Sequence, residues 1–156
     1  MKLLAIGFLA ITFTANVQGQ SKPTFDRYPV KTIFKGKPAS VDLKSATGAK
    51  YYRTNLRKAA KDGVNFAGHY AIGLWGCGSP CITAGMVDLK TGKVTWVPST
   101  GFMVFDVAFQ INSKLVIINS RDVLDKEWPD GPPKWQGEWP EELFFVWNGK
   151  RFIQIK

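Results

Sequence analysis

The feature that most constrains the fold of this chain is a β pattern that begins at Asn65 and continues to the C-terminus. Between residues 66 and 75 two sets of side chains alternate, as in a strand whose two faces meet different surroundings. Turn-forming residues separate the later apolar runs, and Asn148-Gly149 is a strong hairpin signal. The pattern predicts an α+β, mainly β fold: an antiparallel meander sheet of about seven strands with one packed helix.

Local patterns place the individual elements. Strands are predicted at 66–75, 82–88, 93–97, 102–110, 114–119, 143–147 and 151–155. One helix is predicted over 47–62, because Tyr52, Leu56, Ala59 and Ala60 share a face. Ser45 or Thr47 is its expected cap. Residues 20–44 contain three prolines and are predicted to form an irregular arm with one or two edge strands, at 30–34 and 39–43.

The N-terminus has the three parts of a secretory signal. Lys2 is followed by an apolar run over residues 3–13, which is too short to span a bilayer. A polar stretch follows, in which Val17-Gln18-Gly19 is the best cleavage site, with cleavage after Gly19. Residues 1–19 are therefore predicted to be a cleavable signal peptide, and 20–156 a single β-rich domain. The predicted location is periplasmic or secreted, with no stable membrane anchor after cleavage. A single N-terminal anchor is the alternative.

Two cysteines, Cys77 and Cys81, are separated by three residues. In an oxidising compartment such a pair is expected to form a disulfide, here closing one short loop. A metal site would need more ligands, and His69 is the only histidine. A redox dithiol usually has two residues between its cysteines. We expect no metal and no cofactor.

Charge is unevenly distributed along the chain. Residues 22–61 contain eleven basic and two acidic side chains, whereas 121–142 contain seven acidic and three basic ones. A basic region suits nucleic acid, an anionic envelope polymer or an acidic protein. Export and the absence of a nucleic-acid motif disfavour nucleic acid. A soluble, lysine-rich surface without a specific partner is the alternative.

Catalytic groupings are weakly indicated. A Cys–His pair with His69 would need a free thiolate, which the disulfide removes. Carboxylates for glycoside hydrolysis are present in the late acidic segment: Glu127, Asp130, Glu138, Glu141 and Glu142. No catalytic residue is assigned. An envelope glycan hydrolase and a plain structural domain remain the alternatives.

Binding is the favoured function. Trp75, Ser79 and Pro80 belong to the glycine-flanked loop over residues 75–81, and its disulfide lowers the entropy cost of presenting Ser79 and Pro80. Residues 121–142 show no regular period and are predicted to form a long loop. It carries three tryptophans that can stack on sugars or anchor a protein: Trp128, Trp135 and Trp139. We expect a non-enzymatic exported module that recognises a protein or a cell-envelope glycan. Its oligomeric state is left open.

Three motifs also carry a resemblance: Asn-Phe-Ala-Gly-His-Tyr at 65–70, Trp-Gly-Cys-Gly-Ser-Pro-Cys at 75–81 and Val-Asp-Leu-Lys-Thr-Gly-Lys at 87–93. Together they resemble a family of small exported bacterial β-rich proteins with no assigned function. The resemblance implies a periplasmic or secreted β domain. The cysteine-closed loop alone is similar to that of the periplasmic inhibitors of vertebrate lysozyme. Here it has no charged or histidine side chain, so no inhibitory residues are carried over.

Overall fold

The computed structural model describes residues 21–78, 81–98, 104–131 and 140–156. A short 3-10 helix, Phe25–Arg27, precedes two α-helices and seven strands: α1 Arg53–Asp62, β1 Tyr70–Gly78, β2 Cys81–Asp88, β3 Val94–Trp96, β4 Val107–Phe109, β5 Leu115–Ile118, α2 Arg121–Glu127, β6 Leu143–Trp147 and β7 Phe152–Ile155. The mainly β fold with seven antiparallel strands is confirmed. The described residues contain two α-helices where one was expected.

The strands form two sheets instead of one. Sheet A has the order β1-β2-β3, and sheet B has the order β4-β5-β6-β7. Ile72 and Met86 of sheet A share one buried cluster with Val116 and Phe145 of sheet B. Each sheet therefore buries an apolar face against the other, which one open sheet with a single helix would not achieve.

Helix α1 covers the other face of sheet A. Leu56 and Ala60 of α1 belong to the same buried cluster as Ala71 and Val87 of the sheet. The alternation along β1 and β2 thus supplies two buried faces, one for α1 and one for sheet B. Gly73 permits close approach, because a Cβ built there would lie 2.9 Å from the Cβ of Ala59.

The arm that precedes α1 contains no strand over residues 21–52, so the predicted edge strands at 30–34 and 39–43 are wrong. Isolated bridges and single hydrogen bonds hold it instead. Phe34 N–H donates to the Gly68 carbonyl (2.7 Å), and Ala39 N–H donates to the Leu89 carbonyl (2.9 Å). Prolines lack the N–H that a continuous ladder needs, which limits the arm to such isolated contacts.

Helix α1 begins six residues later than predicted. Gly48 has a φ of +79°, a left-handed conformation that no helix continues through. Ser45 is not a cap, because its hydroxyl donates to the Asp42 carbonyl (2.6 Å) and accepts from Val94 N–H (2.8 Å). Residues 43–52 therefore form turns that join the arm to sheet A.

Helix α2 occupies the start of the segment that was predicted to lack regular structure. Its seven residues make about two turns, and among them only Leu124 is fully buried. A helix this short contributes too few apolar positions to show a period. The prediction of one long loop over 121–142 is wrong for residues 121–127.

Candidate functional site

Cys77 and Cys81 form the predicted disulfide at the end of the β1–β2 hairpin, with their Cα atoms 5.2 Å apart. Neither sulfur is therefore a thiolate. His69 lies just before β1, and eight residues at about 3.3 Å each place it roughly 26 Å from Cys77. A Cys–His nucleophile is thus ruled out. Ser79 and Pro80 lie outside the described residues, and their role in contacts stays a prediction.

The Trp75 ring is held between sheet A and the segment leading into α1. Its centroid lies 5.1 Å from the Tyr52 ring and 6.1 Å from the Trp96 ring. Gly85 leaves room for it, since a Cβ there would lie 2.8 Å from the indole. Trp96 is itself anchored, because its Nε1–H donates to the Thr47 carbonyl (3.0 Å). The ring is therefore positioned by packing on several sides.

A cavity of about 310 Å³, the Trp75 cavity, lies between α1 and β1. Half-buried Trp75 forms part of its wall, and the polar side chains around it are Asn55, Lys58, Asp62 and Asn65. An aromatic surface beside amide, carboxylate and ammonium groups suits a ligand with both an apolar face and hydroxyls.

Two polar pairs shape this wall. The Asn65 side chain makes two hydrogen bonds to the backbone of Ile72 in β1. Its Nδ2–H donates to the Ile72 carbonyl (2.9 Å), and its Oδ1 accepts from the Ile72 N–H (2.7 Å). On α1, Lys58 Nζ lies 2.6 Å from Asp62 Oδ2 in an exposed ion pair. Asn65 is therefore committed to the fold, whereas Lys58 and Asp62 are open to solvent and can exchange their pairing for a ligand.

The indole N–H of Trp75 is buried and has no hydrogen-bond partner within the described part of the chain. A buried donor left without an acceptor costs about 1–3 kcal/mol. The ring therefore occupies its position because of its packing, and any contribution to binding comes from its surface.

Trp128 follows α2 and belongs to a different region. Its ring packs edge-on against Phe105 with centroids 4.6 Å apart, and the residue is half-buried. Trp128 does not line the Trp75 cavity. Trp135 and Trp139 lie outside the described residues, and their role in contacts stays a prediction.

One of the late carboxylates has a structural role. Glu142 Oε1 accepts from the backbone N–H of Arg121 (2.8 Å), at the start of α2, and lies 2.9 Å from Lys22 Nζ. It ties that helix to the arm. Glu127, Asp130 and Glu141 are exposed, and Glu138 lies outside the described residues.

A second cavity, of about 280 Å³, surrounds His69 together with Tyr70, Lys90, Lys114 and Trp147. Burial lowers the pKa of His69, and the nearby Lys90 charge lowers it further. Asp88 opposes this, with its Oδ1 4.0 Å from His69 Nε2. Burial raises the pKa of the Tyr70 hydroxyl. Both rings are therefore favoured in their neutral forms at neutral pH.

Within the described ranges, no group of three or more His, Cys, Asp or Glu side chains is arranged to hold a metal ion. No helix in that part of the chain is long and apolar enough to cross a bilayer. Comparison of the chain with protein-family models, with curated proteins and with solved structures finds no match.

Sequence reasoning identified Trp75 but missed its neighbours on α1. Asn55, Lys58 and Asp62 reach the cavity because they flank the buried face made by Leu56, Ala59 and Ala60. That face was predicted from helical spacing. The signal was thus present, but using it required knowing that α1 packs beside Trp75.

Proposed function

We propose that this chain is an exported, non-enzymatic module that binds a glycan of the cell envelope in the Trp75 cavity. One observation carries the proposal: a tryptophan ring held by packing on several sides forms the wall of a cavity whose rim carries amide, carboxylate and ammonium groups. Sugars present a C–H face to an aromatic ring and hydroxyls to such polar groups.

The size and shape of the cavity favour a glycan over a protein partner. A concave space of about 310 Å³ is near the lower end of small-ligand sites. Protein interfaces of standard size bury about 800 Å² on each partner, a far larger surface. The signal pattern at 1–19 and the Cys77–Cys81 disulfide both fit an oxidising, extracytoplasmic compartment.

A sedimentation assay tests the proposal. Purified residues 20–156 are mixed with insoluble peptidoglycan, chitin or cellulose, and bound protein is measured in the pellet. An aromatic contact worth about 1 kcal/mol corresponds to roughly a fivefold change in affinity. We therefore expect Trp75→Ala to weaken binding roughly fivefold. Trp75→Phe keeps an aromatic surface and is expected to retain most of the binding.

Two further variants make the assay specific. Asn55→Ala removes a polar contact of the cavity without removing a packed ring, and it should also weaken binding. Trp128→Ala removes a tryptophan from the other candidate region and should leave binding unchanged. The proposal fails if no polysaccharide sediments the protein, or if Trp75→Ala and Asn55→Ala bind as the parent does. Release of soluble sugar during the incubation would contradict the non-enzymatic part.

A further inference from the structure

A third cavity flanks α1 on the side away from Trp75, and its charged lining residues are basic. This basic cavity has a volume of about 500 Å³. Three cations line it: Lys37 from the arm, and Arg57 and Lys61 from α1. Among the residues that the structure describes, no acidic side chain lines this cavity.

These three cations have no carboxylate partner within the described residues, where the ion pairs involve Lys22, Lys58, His69 and Arg121 instead. The nearest acid along α1, Asp62, pairs with Lys58, and both line the Trp75 cavity. Like charges that converge on a concave surface raise the local positive potential and concentrate anions there. The basic cavity is therefore electrostatically complementary to an anionic ligand.

The arm that forms the other wall is held in position before any ligand binds. Ala39 N–H donates to the Leu89 carbonyl (2.9 Å), and Asp42 N–H donates to the Gly92 carbonyl (2.8 Å). Gly92 lies so close to Ser40 that a Cβ there would be 2.0 Å from the Ser40 carbonyl oxygen. A preformed wall reduces the ordering cost of binding.

The lining also has an apolar part. Pro38, Val41 and Ala60 line the cavity together with the cations, and Ser40 adds a hydroxyl. A bare inorganic anion would leave this surface and most of the volume unused. An organic ligand can place its carbon skeleton on the apolar part while its charge meets the guanidinium of Arg57, whose planar donors suit carboxylate and phosphate.

We infer that the basic cavity binds an organic oxyanion, a carboxylate or phosphate group carried on a sugar-sized body. The site is separate from the Trp75 cavity and does not depend on the function proposed for it. Where the two act together, the module would hold an acidic glycan along both sides of α1.

Binding is measured by NMR chemical-shift titration of ¹⁵N-labelled residues 20–156 at low salt. The probes are glucuronate, glucose 6-phosphate, inorganic phosphate and neutral glucose. We expect one or both sugar acids to shift the amides of residues 37–41 and 57–61 and to bind more tightly than inorganic phosphate. If glucuronate binds, the oxyanion is a carboxylate, and if glucose 6-phosphate binds, it is a phosphate.

A charge-matched pair of variants separates a site from general attraction. Arg57→Gln/Lys61→Gln removes two cations of the cavity and should weaken binding about tenfold or more. Lys126→Gln/Lys150→Gln removes the same charge from exposed positions on α2 and the β6–β7 turn, and should change binding little. Trp75→Ala should also leave oxyanion binding intact, which distinguishes this inference from the proposed function.

Four outcomes overturn the inference. The first is that neither sugar acid binds, and the second is that glucose binds as tightly as they do. The third is equal weakening by the two double variants, since that would indicate nonspecific charge attraction. The fourth is that inorganic phosphate binds as tightly as the sugar acids, which would remove the role assigned to Pro38, Val41 and Ala60. Arg57 and Lys61 are exposed, so the thermal unfolding of the Arg57→Gln/Lys61→Gln variant should match that of the parent.

Discussion

The two ends of the β1–β2 hairpin are held in opposite ways. At one end, hereafter the anchored end, residues 65–70 and 88–92 bond to the arm and to each other. Gly68 and Gly92 carbonyls accept from Phe34 and Asp42 N–H groups, and the His69 carbonyl accepts from Leu89 N–H (2.9 Å). At the other end, hereafter the free end, residues 76–78 are exposed and include Cys77 of the disulfide.

The difference shows how one residue type serves two purposes. Gly92 of the anchored end has a φ of +79° and no room for a Cβ, whereas a Cβ at Gly76 of the free end would meet nothing within 4 Å. The first glycine is required by close packing of the arm. The second lies on a strand surface that is exposed to solvent. The anchored end holds the arm and sheet A in a fixed geometry, and the free end makes few contacts.

The largest effect that tests this comparison is expected from Gly92→Ala. The left-handed φ costs about 1–2 kcal/mol, and relief of the clash with the Ser40 carbonyl adds a similar or larger amount, so the free energy of unfolding should fall by about 3 kcal/mol. Gly76→Ala should change it by less than about 0.5 kcal/mol. Urea unfolding of both variants measures this. Equal losses would mean that the two ends are not held differently.

The fold could be predicted where the pattern is repeated. Strand alternation and turn residues indicated all seven strands, and the Asn148-Gly149 turn connects β6 and β7 as expected, with Asn148 N–H donating to the Arg151 carbonyl (3.2 Å). The division into two sheets could not be predicted, because alternation reveals that a face is buried but not what covers it. Helix α2 was missed because two turns show no period.

The site could be predicted only in part, for a related reason. Trp75 was singled out from its place before the cysteines, and the basic surplus over residues 22–61 is spread along the sequence. The path of the arm brings Lys37 close to Arg57 and Lys61. That path depends on single hydrogen bonds to residues fifty positions away in the sequence. No local pattern encodes such contacts.

A smaller effect is expected from opening the disulfide. Closing a loop of about five residues removes roughly 2 kcal/mol of unfolded-chain entropy, so Cys77→Ser/Cys81→Ser should lower the free energy of unfolding by about 2 kcal/mol or less. Amide shifts should change only near residues 74–83, because the free end has few contacts to transmit the change. Shifts that extend to residues 65–70 would contradict the separation of the two ends. The Cys-to-Ser pair should also leave oxyanion binding in the basic cavity unchanged.

The smallest effect concerns the titration of His69 at the anchored end. Burial lowers its pKa, so its NMR titration midpoint should lie below the unperturbed 6.5, and as the only histidine it gives an unambiguous signal. The unfolded chain then binds more protons than the folded chain between the two pKa values. The stability contributed by neutral His69 is therefore complete above about pH 6.5 and is lost as the pH falls through the folded pKa. His69→Gln should flatten this part of the pH profile of urea unfolding, while Gly76→Ala should not. A midpoint above 6.5 would show that Asp88 outweighs burial, and the anchored end would then lose stability as the pH rises instead.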